Sequence, residues 1–454
     1  MNAAEERISA YLAGLAKFGW HLGLDRIEAL LERLGHPERS YLAVQVAGTN
    51  GKGSTAAHLA YILAAAGYKA GLYISPHLES YRERFALVGP GPAHRLIDAE
   101  RLADLLGEVA AAAGPVAESP AGPPTEFEVL TGAAARWFAE ERAQVVVWET
   151  GLGGRLDATT ACPSQLSVLT HIDLDHQDRL GPTLEAIAAE KAAIVRPGQP
   201  VVVAPQEPAA MAVIAARAAE QGSPLLQVDE AVVQLAQATL AGTEFTYRPP
   251  AELAPGAGQG LPARLATALL GPHQAINAAV AVTAALALEA AGLRVSPAAV
   301  ERGLAEVRWP GRLEVLRREP LVIVDGAHNP DGMRRLVEAW RALAPGAAPL
   351  VVCGFLRDKA WEELVALLAG LAGEVVVTRP ASDRAAAPGE VAELFRRAGV
   401  PAQAVEPPEE AAREALAHAR EGGRPLLGCG SLYLIGALRR AWRPAAGGKG
   451  GEVT

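Results

Sequence analysis

Short apolar runs recur along the first half of the chain: "YLAVQVA" (41–47), "AGLYIS" (70–75), "VVVWE" (145–149), "LSVLT" (166–170) and "VVVA" (201–204). Each gives way to polar or glycine-rich residues, and stretches of helical character separate them. Unbroken aliphatic runs suit strands covered on both faces, and strand–helix alternation is the rhythm of a mostly parallel sheet between helices. Residues 225–270 break that rhythm. Thr, Tyr and Gly are interspersed there, which predicts short antiparallel strands around "RPPAELAPGAGQGLPAR". An Ala-rich helix over 275–292 follows. The alternation then restarts with "LVIVDG" (321–326), "PLVVCGF" (349–355), "EVVVT" (374–378) and "PLLGCG" (425–430). Between the two series, the Pro-Gly pair of "VRWPGRLEV" (307–315) interrupts regular structure. The pattern predicts an α/β chain of two domains. Residues 1–308 form a mostly parallel sheet plus a small antiparallel sheet, and residues 309–454 a smaller, Rossmann-like α/β domain.

Composition narrows the function. Half of the 454 residues are apolar and a fifth charged, and the net charge of −9 comes with no basic block, which argues against nucleic acid as a partner. Cys162, Cys353 and Cys429 are widely spaced and form no C-x-x-C pair, which predicts a reducing, cytoplasmic setting without structural zinc. The first residues are acidic where a signal peptide is basic. The apolar run at 278–292 contains Glu289 and is expected to be too short to span a bilayer, so no membrane partner is predicted.

Five stretches carry candidate chemistry. In "VAGTNGKGST" (46–55) a strand feeds a glycine-rich turn that opens a helix. Such a turn offers backbone N–H groups and the positive helix end to a phosphate; Lys52 reaches the outer phosphates, and Ser54 or Thr55 serves phosphate or metal. In "WETGLGGRLDATTAC" (148–162), Glu149 ends an apolar run and emerges at a strand edge, placed to hold Mg²⁺ or else to pair with Arg155. "DLDHQD" (173–178) carries His176, which on composition alone is a solvated residue. Lys191 lies in the apolar helix "AIAAEKAAIV", and on spacing alone its stem snorkels to solvent. "IVDGAHNP" (323–330) places Asp325 and His328 at another strand end.

In order along the chain, "LGLDRI", "VAGTNGKGS", "SPHLESYRERF", "FEVLT", "ETGLGGRLDAT", "DLDHQDRLG", "EKAAIV", "GPHQAINA", "WPGRLE", "DGAHNP" and "GSLYL" give a chain that resembles the folylpolyglutamate synthase / dihydrofolate synthase family, within the wider group of Mur-type ligases. The resemblance runs from about Leu22 to Leu438 and accounts for the short loop, which is this family's phosphate loop rather than a damaged Walker motif. It implies an ATP-dependent amide-forming ligase. ATP phosphorylates the carboxylate of dihydropteroate or the γ-carboxylate of a reduced folate, and the amine of L-glutamate displaces the phosphate. The implied phosphate and nucleotide contacts are Gly48, Thr49, Asn50, Gly51, Lys52, Gly53, Ser54, Thr55, Asn277, Arg312 and Asp325. The resemblance implies one or two Mg²⁺ ions on Ser75, Glu149 and His176, and on Lys191 too if that residue, at the position of a carbamylated lysine, carries the carbamate. Lys52, Glu149, His176, Lys191 and His328 are the implied catalytic set, with His328 on the acyl-phosphate or glutamate side. The pterin-bearing substrate is expected near Gly14, Leu15, Ala16, Thr125, Phe127, Leu156, Asp157 and Ala158. The family is often monomeric, and its partners here are small molecules. The chain departs from the pattern at Thr160, where Asn is common, and at Ala360, where a second Asp is frequent.

Two other readings were weighed. A cell-wall Mur ligase carries a separate nucleotide-sugar domain before the phosphate loop, and only 47 residues precede Gly48 here. A nucleotide-gated binding protein without catalysis fits poorly with Lys52, Ser75, Glu149, His176 and Lys191 all being present.

Overall fold

Each apolar run singled out above is a strand in the computed structural model, which describes residues 3–15, 23–89, 94–229 and 231–444. The first series builds an eight-stranded sheet from β1 (Leu42–Ala47), β2 (Ala70–Tyr73), β3 (Phe85–Val88), β4 (Arg95–Leu96), β5 (Val145–Glu149), β6 (Leu166–Leu169), β7 (Val201–Val203) and β8 (Leu225–Gln227). Their order is β4-β3-β2-β5-β1-β6-β7-β8, parallel from β2 to β8, with β3 and β4 added antiparallel at one edge. The chain leaves β1 toward β2 and leaves β5 toward β6. The central pair therefore sends its connections in opposite directions, which opens a crevice at the carboxyl ends of the strands.

One face of this sheet packs an aromatic core that includes Tyr73, Phe85, Trp137, Phe138 and Trp148. Farther along the same face, beside β6 and β7, the core is aliphatic, with Leu169, Ile187, Ile194 and Ile214. The helix Lys52–Ala65 is buried from Gly53 through Leu63, so it must be covered closely all round. Helix Pro297–Glu306 does this at Gly303, where an added Cβ would lie 2.5 Å from Ile62 Cα and 2.6 Å from its nitrogen. The Ala-rich helix is longer than the sequence predicted. It runs from His273 to Ala291, 19 residues with mean hydropathy 1.4, and 78% of that apolar window is buried within the fold, as in a core helix.

A three-stranded sheet of order β11-β10-β9 uses β9 (Val233–Thr239), β10 (Gly242–Tyr247) and β11 (Arg264–Thr267), the antiparallel segment the pattern predicted. The chain forms two compact units, one of residues 1–234, 245–267 and 275–307, the other of 235–244, 268–274 and 308–454. The second unit holds a six-stranded sheet built from β12 (Glu314–Arg318), β13 (Leu321–Val324), β14 (Leu350–Cys353), β15 (Glu374–Val377), β16 (Ala402–Ala404) and β17 (Leu426–Cys429). Its order is β12-β13-β17-β14-β15-β16, parallel except for β12. Cys353 and Cys429, distant in sequence, are register partners on adjacent strands, and both are buried thiols.

Gly303→Ala should cost about 2–3 kcal/mol, because the added methyl meets backbone atoms that cannot change rotamer. Urea unfolding monitored by tryptophan fluorescence checks this, and an unchanged midpoint would contradict the packing described.

Candidate active site

The turn after β1 is built from backbone and tolerates no side chain at its first position. Gly48 has φ 152°, and a Cβ there would lie 1.9 Å from Thr170 Oγ1. The N–H groups of Thr49 and Asn50 donate to the His171 carbonyl at 2.8 and 3.2 Å. The Thr49 hydroxyl donates to the Asp173 carbonyl (3.0 Å) and accepts from the Asp173 N–H (3.1 Å). The loop is thus clamped to the segment after β6. Gly51 (φ 88°) caps the helix Lys52–Ala65, and Asn277 lies against it, its Oδ1 2.6 Å from where a Cβ would stand. Thr55 Oγ1 is buried without a hydrogen-bond partner among the described residues. Gly53 and Ser54 are buried in the first helical turn. A helix start with a buried hydroxyl lacking a partner, and a wall with no room for a Cβ, fits a phosphate group.

His58, which the sequence reading did not single out, braces this turn. Its Nδ1 is 2.8 Å from the Ser54 carbonyl and its Nε2 is 2.7 Å from Thr267 Oγ1. A carbonyl only accepts, so Nδ1 carries the proton and the Thr267 hydroxyl donates to Nε2. Burial pushes its pKa down to about 4, which keeps the ring neutral.

Lys191 does not snorkel. It is 5% exposed, and its Nζ donates to the Gly48 carbonyl at 2.8 Å. The reason is the packing of helix Leu184–Ala192 against the glycine turn after β5: a Cβ on Gly154 would lie 2.8 Å from the Glu190 carbonyl and 3.0 Å from that of Lys191. Lys52 Nζ donates to the same Gly48 carbonyl at 3.1 Å, and to that of Thr49 at 3.1 Å. Burial first and the Lys52 charge second lower the Lys191 pKa to about 7, against opposing pulls from Asp175 and Asp157. Glu149 is buried, and its Oε2 accepts the Ser75 N–H at 3.2 Å, which brings these two residues together at adjacent strand ends. Arg155 pairs instead with Glu190 at 2.9 Å. His176 stands on the exposed loop after β6 with φ 52°, its N–H bonded to Asp175 Oδ1 at 2.9 Å. The Ser75 and Glu149 oxygens, brought together by the contact between those two residues, are the kind Mg²⁺ prefers beside phosphates.

Among the residues expected to face the acceptor, Thr125 caps helix Glu126–Glu140 in a reciprocal box with Glu128, which Arg26 Nε contacts at 3.1 Å. The Phe127 ring lies over Gly151 and 6.0 Å from the Tyr73 ring. Asp157 organises its own turn: Oδ2 accepts the N–H groups of Gly151 and Leu152 (both 2.9 Å), and Oδ1 accepts from Thr159 N (3.0 Å) and Oγ1 (2.6 Å). Burial raises its pKa, against these hydrogen bonds. Ala158 is buried and Leu156 half-buried. Thr160 donates to the Gly154 carbonyl (2.6 Å) and accepts from the Gln45 amide (2.6 Å), so at this departure from the family pattern the side chain ties the turn to β1. Leu15 packs against the aromatic core, Gly14 is exposed at the end of helix Ala3–Leu15, and Ala16 lies outside the described residues. After Ser75, the Glu83 carboxylate accepts three successive N–H groups, from Leu78 (2.8 Å), Glu79 (2.9 Å) and Ser80 (3.0 Å), which folds the segment tightly.

In the second unit, Asp325 Oδ2 accepts the Leu313 N–H (2.9 Å) and Oδ1 the Ala327 N–H (2.8 Å). Burial raises its pKa, and the Arg312 charge opposes this. Arg312 Nη1 donates to the Gly311 carbonyl (3.1 Å), and His328 Nδ1 is 2.8 Å from that of Gly326. Asn329 caps helix Pro330–Leu343 through the Gly332 N–H at 2.8 Å. Ala360, the second departure, precedes helix Trp361–Ala369 without a side-chain cap.

Residues 102–285 match the Mur ligase middle domain and residues 311–432 the Mur ligase glutamate ligase domain. With the phosphate turn of the first unit and the Rossmann-like sheet of the second, these matches place the chain among the Mur ligases. It is 35% identical to the dihydrofolate synthase/folylpolyglutamate synthase of Bacillus subtilis, across 82% of this chain and 84% of that one. Among solved structures it is similar to Mycobacterium tuberculosis folylpolyglutamate synthase complexed with ADP and AMPPCP (TM-score 0.86, 28% identity, 98% and 99% of the two chains). It is also similar to Escherichia coli FolC in complex with DHPP and ADP (TM-score 0.80, 30% identity, 97% and 98%). The chain belongs to the folylpolyglutamate synthase / dihydrofolate synthase family.

The Lys191 environment has a pH signature. Its folded pKa is depressed, so between about pH 7 and the ordinary lysine value the unfolded chain binds more protons and stability rises with pH. In carbonate-free buffer, Lys191→Met should be more stable than wild type, most so at and below pH 7, with the difference closing by about pH 10. Thermal unfolding of both proteins across pH 6–10 checks this; a gap that widens with pH contradicts it.

Proposed function

We propose that the protein is an ATP-dependent ligase that joins L-glutamate to dihydropteroate, to the γ-carboxylate of reduced folates, or to both. The observation that carries the reading is the pair of ammonium groups, Lys52 and Lys191, converging on the Gly48 carbonyl of the phosphate turn. The family relationship supports the acceptor class, and the neighbours' complexes with ADP, AMPPCP and DHPP support nucleotide and pterin ligands.

In this reading the turn from Gly48 to Thr55 holds the ATP phosphates through backbone N–H groups, Lys52 and the Thr55 hydroxyl, with Asn277 beside it. Ser75, Glu149 and His176 would hold Mg²⁺, which would supply neutralisation of phosphate charge. The acceptor lies along Leu15, Thr125, Phe127 and the turn organised by Asp157, its carboxylate facing the ends of β2 and β5. The carboxylate oxygen attacks the γ-phosphorus and ADP leaves. The resulting acyl phosphate is attacked by the glutamate amine, which loses a proton as phosphate departs and the amide forms. Two anions meet in that first step, so positioning and cationic neutralisation do most of the work. In the second unit, Arg312 and Asp325 serve the nucleotide and His328 the acyl-phosphate or glutamate side. The domain division is residues 1–308 and 309–454, and the three buried thiols suit a reducing cytoplasm.

Lys191 is assigned as a carbamate. The neutral amine adds CO₂ and releases a proton, which replaces an ammonium crowded by Lys52 with an anion that pairs with it. Its lowered pKa supplies the neutral amine that the addition requires.

Wild-type protein with ATP, Mg²⁺ and glutamate should release ADP only when dihydropteroate or a reduced folate is added; failure with both acceptors overturns the reading. Glu149→Ala should lower kcat by about a hundredfold or more with the far-UV circular dichroism unchanged. In ¹³C-bicarbonate a carbamate resonance should appear at pH 8, weaken at pH 6 and be missing in Lys191→Met. Its absence from active wild-type protein at pH 8 removes the carbamate assignment.

A further inference from the structure

Arg84 precedes β3 and is only 9% exposed. Its Nε donates to His77 Nδ1 at 3.1 Å, and its guanidinium carbon lies 5.2 Å from the centre of the Tyr81 ring. Among the described residues, neither Nη nitrogen donates a hydrogen bond and no carboxylate pairs with the group. Other buried arginines differ: Arg439, 4% exposed, has the Glu314 carboxylate at 2.6 and 3.1 Å, and Arg26 has Glu128 at 3.1 Å. A guanidinium taken out of water and left without a counter-charge is costly, and such a cost marks a place kept for an incoming anion.

Its surroundings say which anion. The Arg84 carbonyl accepts the Ile74 N–H at 3.3 Å, one residue before Ser75, so Arg84 stands beside the strand end that Ser75 and Glu149 share. Tyr73 is cross-strand to Phe85, its ring is 6.0 Å from that of Phe127, and Tyr81, Phe127 and Leu15 pack against one aromatic core. The aromatic wall assigned to the acceptor and the strand end assigned to its acid both adjoin Arg84. The His77 contact and the Tyr81 ring fix Nε and the stem, which leaves the two Nη groups as a preorganised fork of the kind that binds a carboxylate through parallel hydrogen bonds.

We propose that Arg84 is a substrate-binding residue whose Nη groups receive a carboxylate of the pterin-bearing acceptor and set its position at the ends of β2 and β5. The assignment rests on the ligase reading. The test compares wild type with Arg84→Met, which keeps much of the apolar stem, and Arg84→Lys, which keeps the charge without the fork. Isothermal titration with tetrahydrofolate and with dihydropteroate, in AMPPCP and Mg²⁺, reads binding without turnover, and steady-state ADP release reads KM. Arg84→Met should raise the Kd and KM of at least one acceptor by about tenfold or more, with partial recovery in Arg84→Lys, while KM for ATP and glutamate stays within about twofold. The melting temperature of Arg84→Met should be equal to or above that of wild type, since a lone buried charge is removed. Unchanged affinity for both acceptors, or a fall in melting temperature with all KM values rising together, overturns the proposal and leaves the ligase reading intact. Wild type that binds AMPPCP but neither acceptor overturns both.

Discussion

Two ammonium groups share one carbonyl. Lys52 and Lys191, far apart in sequence, both donate to Gly48, and the remaining geometry of the first unit follows from keeping them there. Lys52 reaches that oxygen because it opens a helix directly after the turn. Lys191 reaches it because the glycine turn after β5 lets its helix approach without an intervening Cβ. Burial disfavours the charged form of Lys191, the nearby Lys52 charge adds to this, and its depressed pKa expresses both. The site is therefore strained electrostatically when no anion is present, and negative charge would relieve it, whether from the phosphate proposed at the turn or from the carbamate proposed on Lys191.

The holding structure is mostly backbone and neutral polar groups. His58 ties the second helical turn to Thr267, Thr49 ties the loop to Asp173, and Gln45 ties β1 to Thr159 and Thr160. The neutral contacts fix position without adding charge, so charge stays reserved for substrates. Asp157 makes the same point from the other sign. Its four accepted hydrogen bonds go to its own turn, so its carboxylate shapes the wall proposed for the acceptor.

Much of this was legible in the sequence because it depends on local pattern. Unbroken apolar runs marked the central parallel strands, and glycines around one lysine marked the phosphate turn. What escaped depends on contacts between distant segments. The edge strands β4 and β12 pair antiparallel with their neighbours and are short and mixed with arginines, so no apolar run announced them. Helical spacing sent Lys191 to solvent, because nothing in "AIAAEKAAIV" reveals that its neighbour is a glycine turn rather than water. His58 read as one polar residue in an Ala-rich helix, and its partner Thr267 is more than two hundred residues away. Arg84 looked like one charge in the charged stretch "ESYRERF", and only burial separates it from Arg82.

The chain carries a net charge of −9, yet Lys52, Lys191 and Arg84 have no carboxylate at ion-pair distance among the described residues. Surface arginines are often paired, as Arg136 is with Glu140 and Arg101 with Glu108. These three cationic side chains thus stand at or beside one set of strand ends in a molecule whose net charge is negative. A surface of that kind repels polyanions in general while drawing a small anion into one low-dielectric crevice. For a ligase that must bring a phosphate against a carboxylate, this distribution is more selective than a basic surface. It places attraction where the two anions must meet.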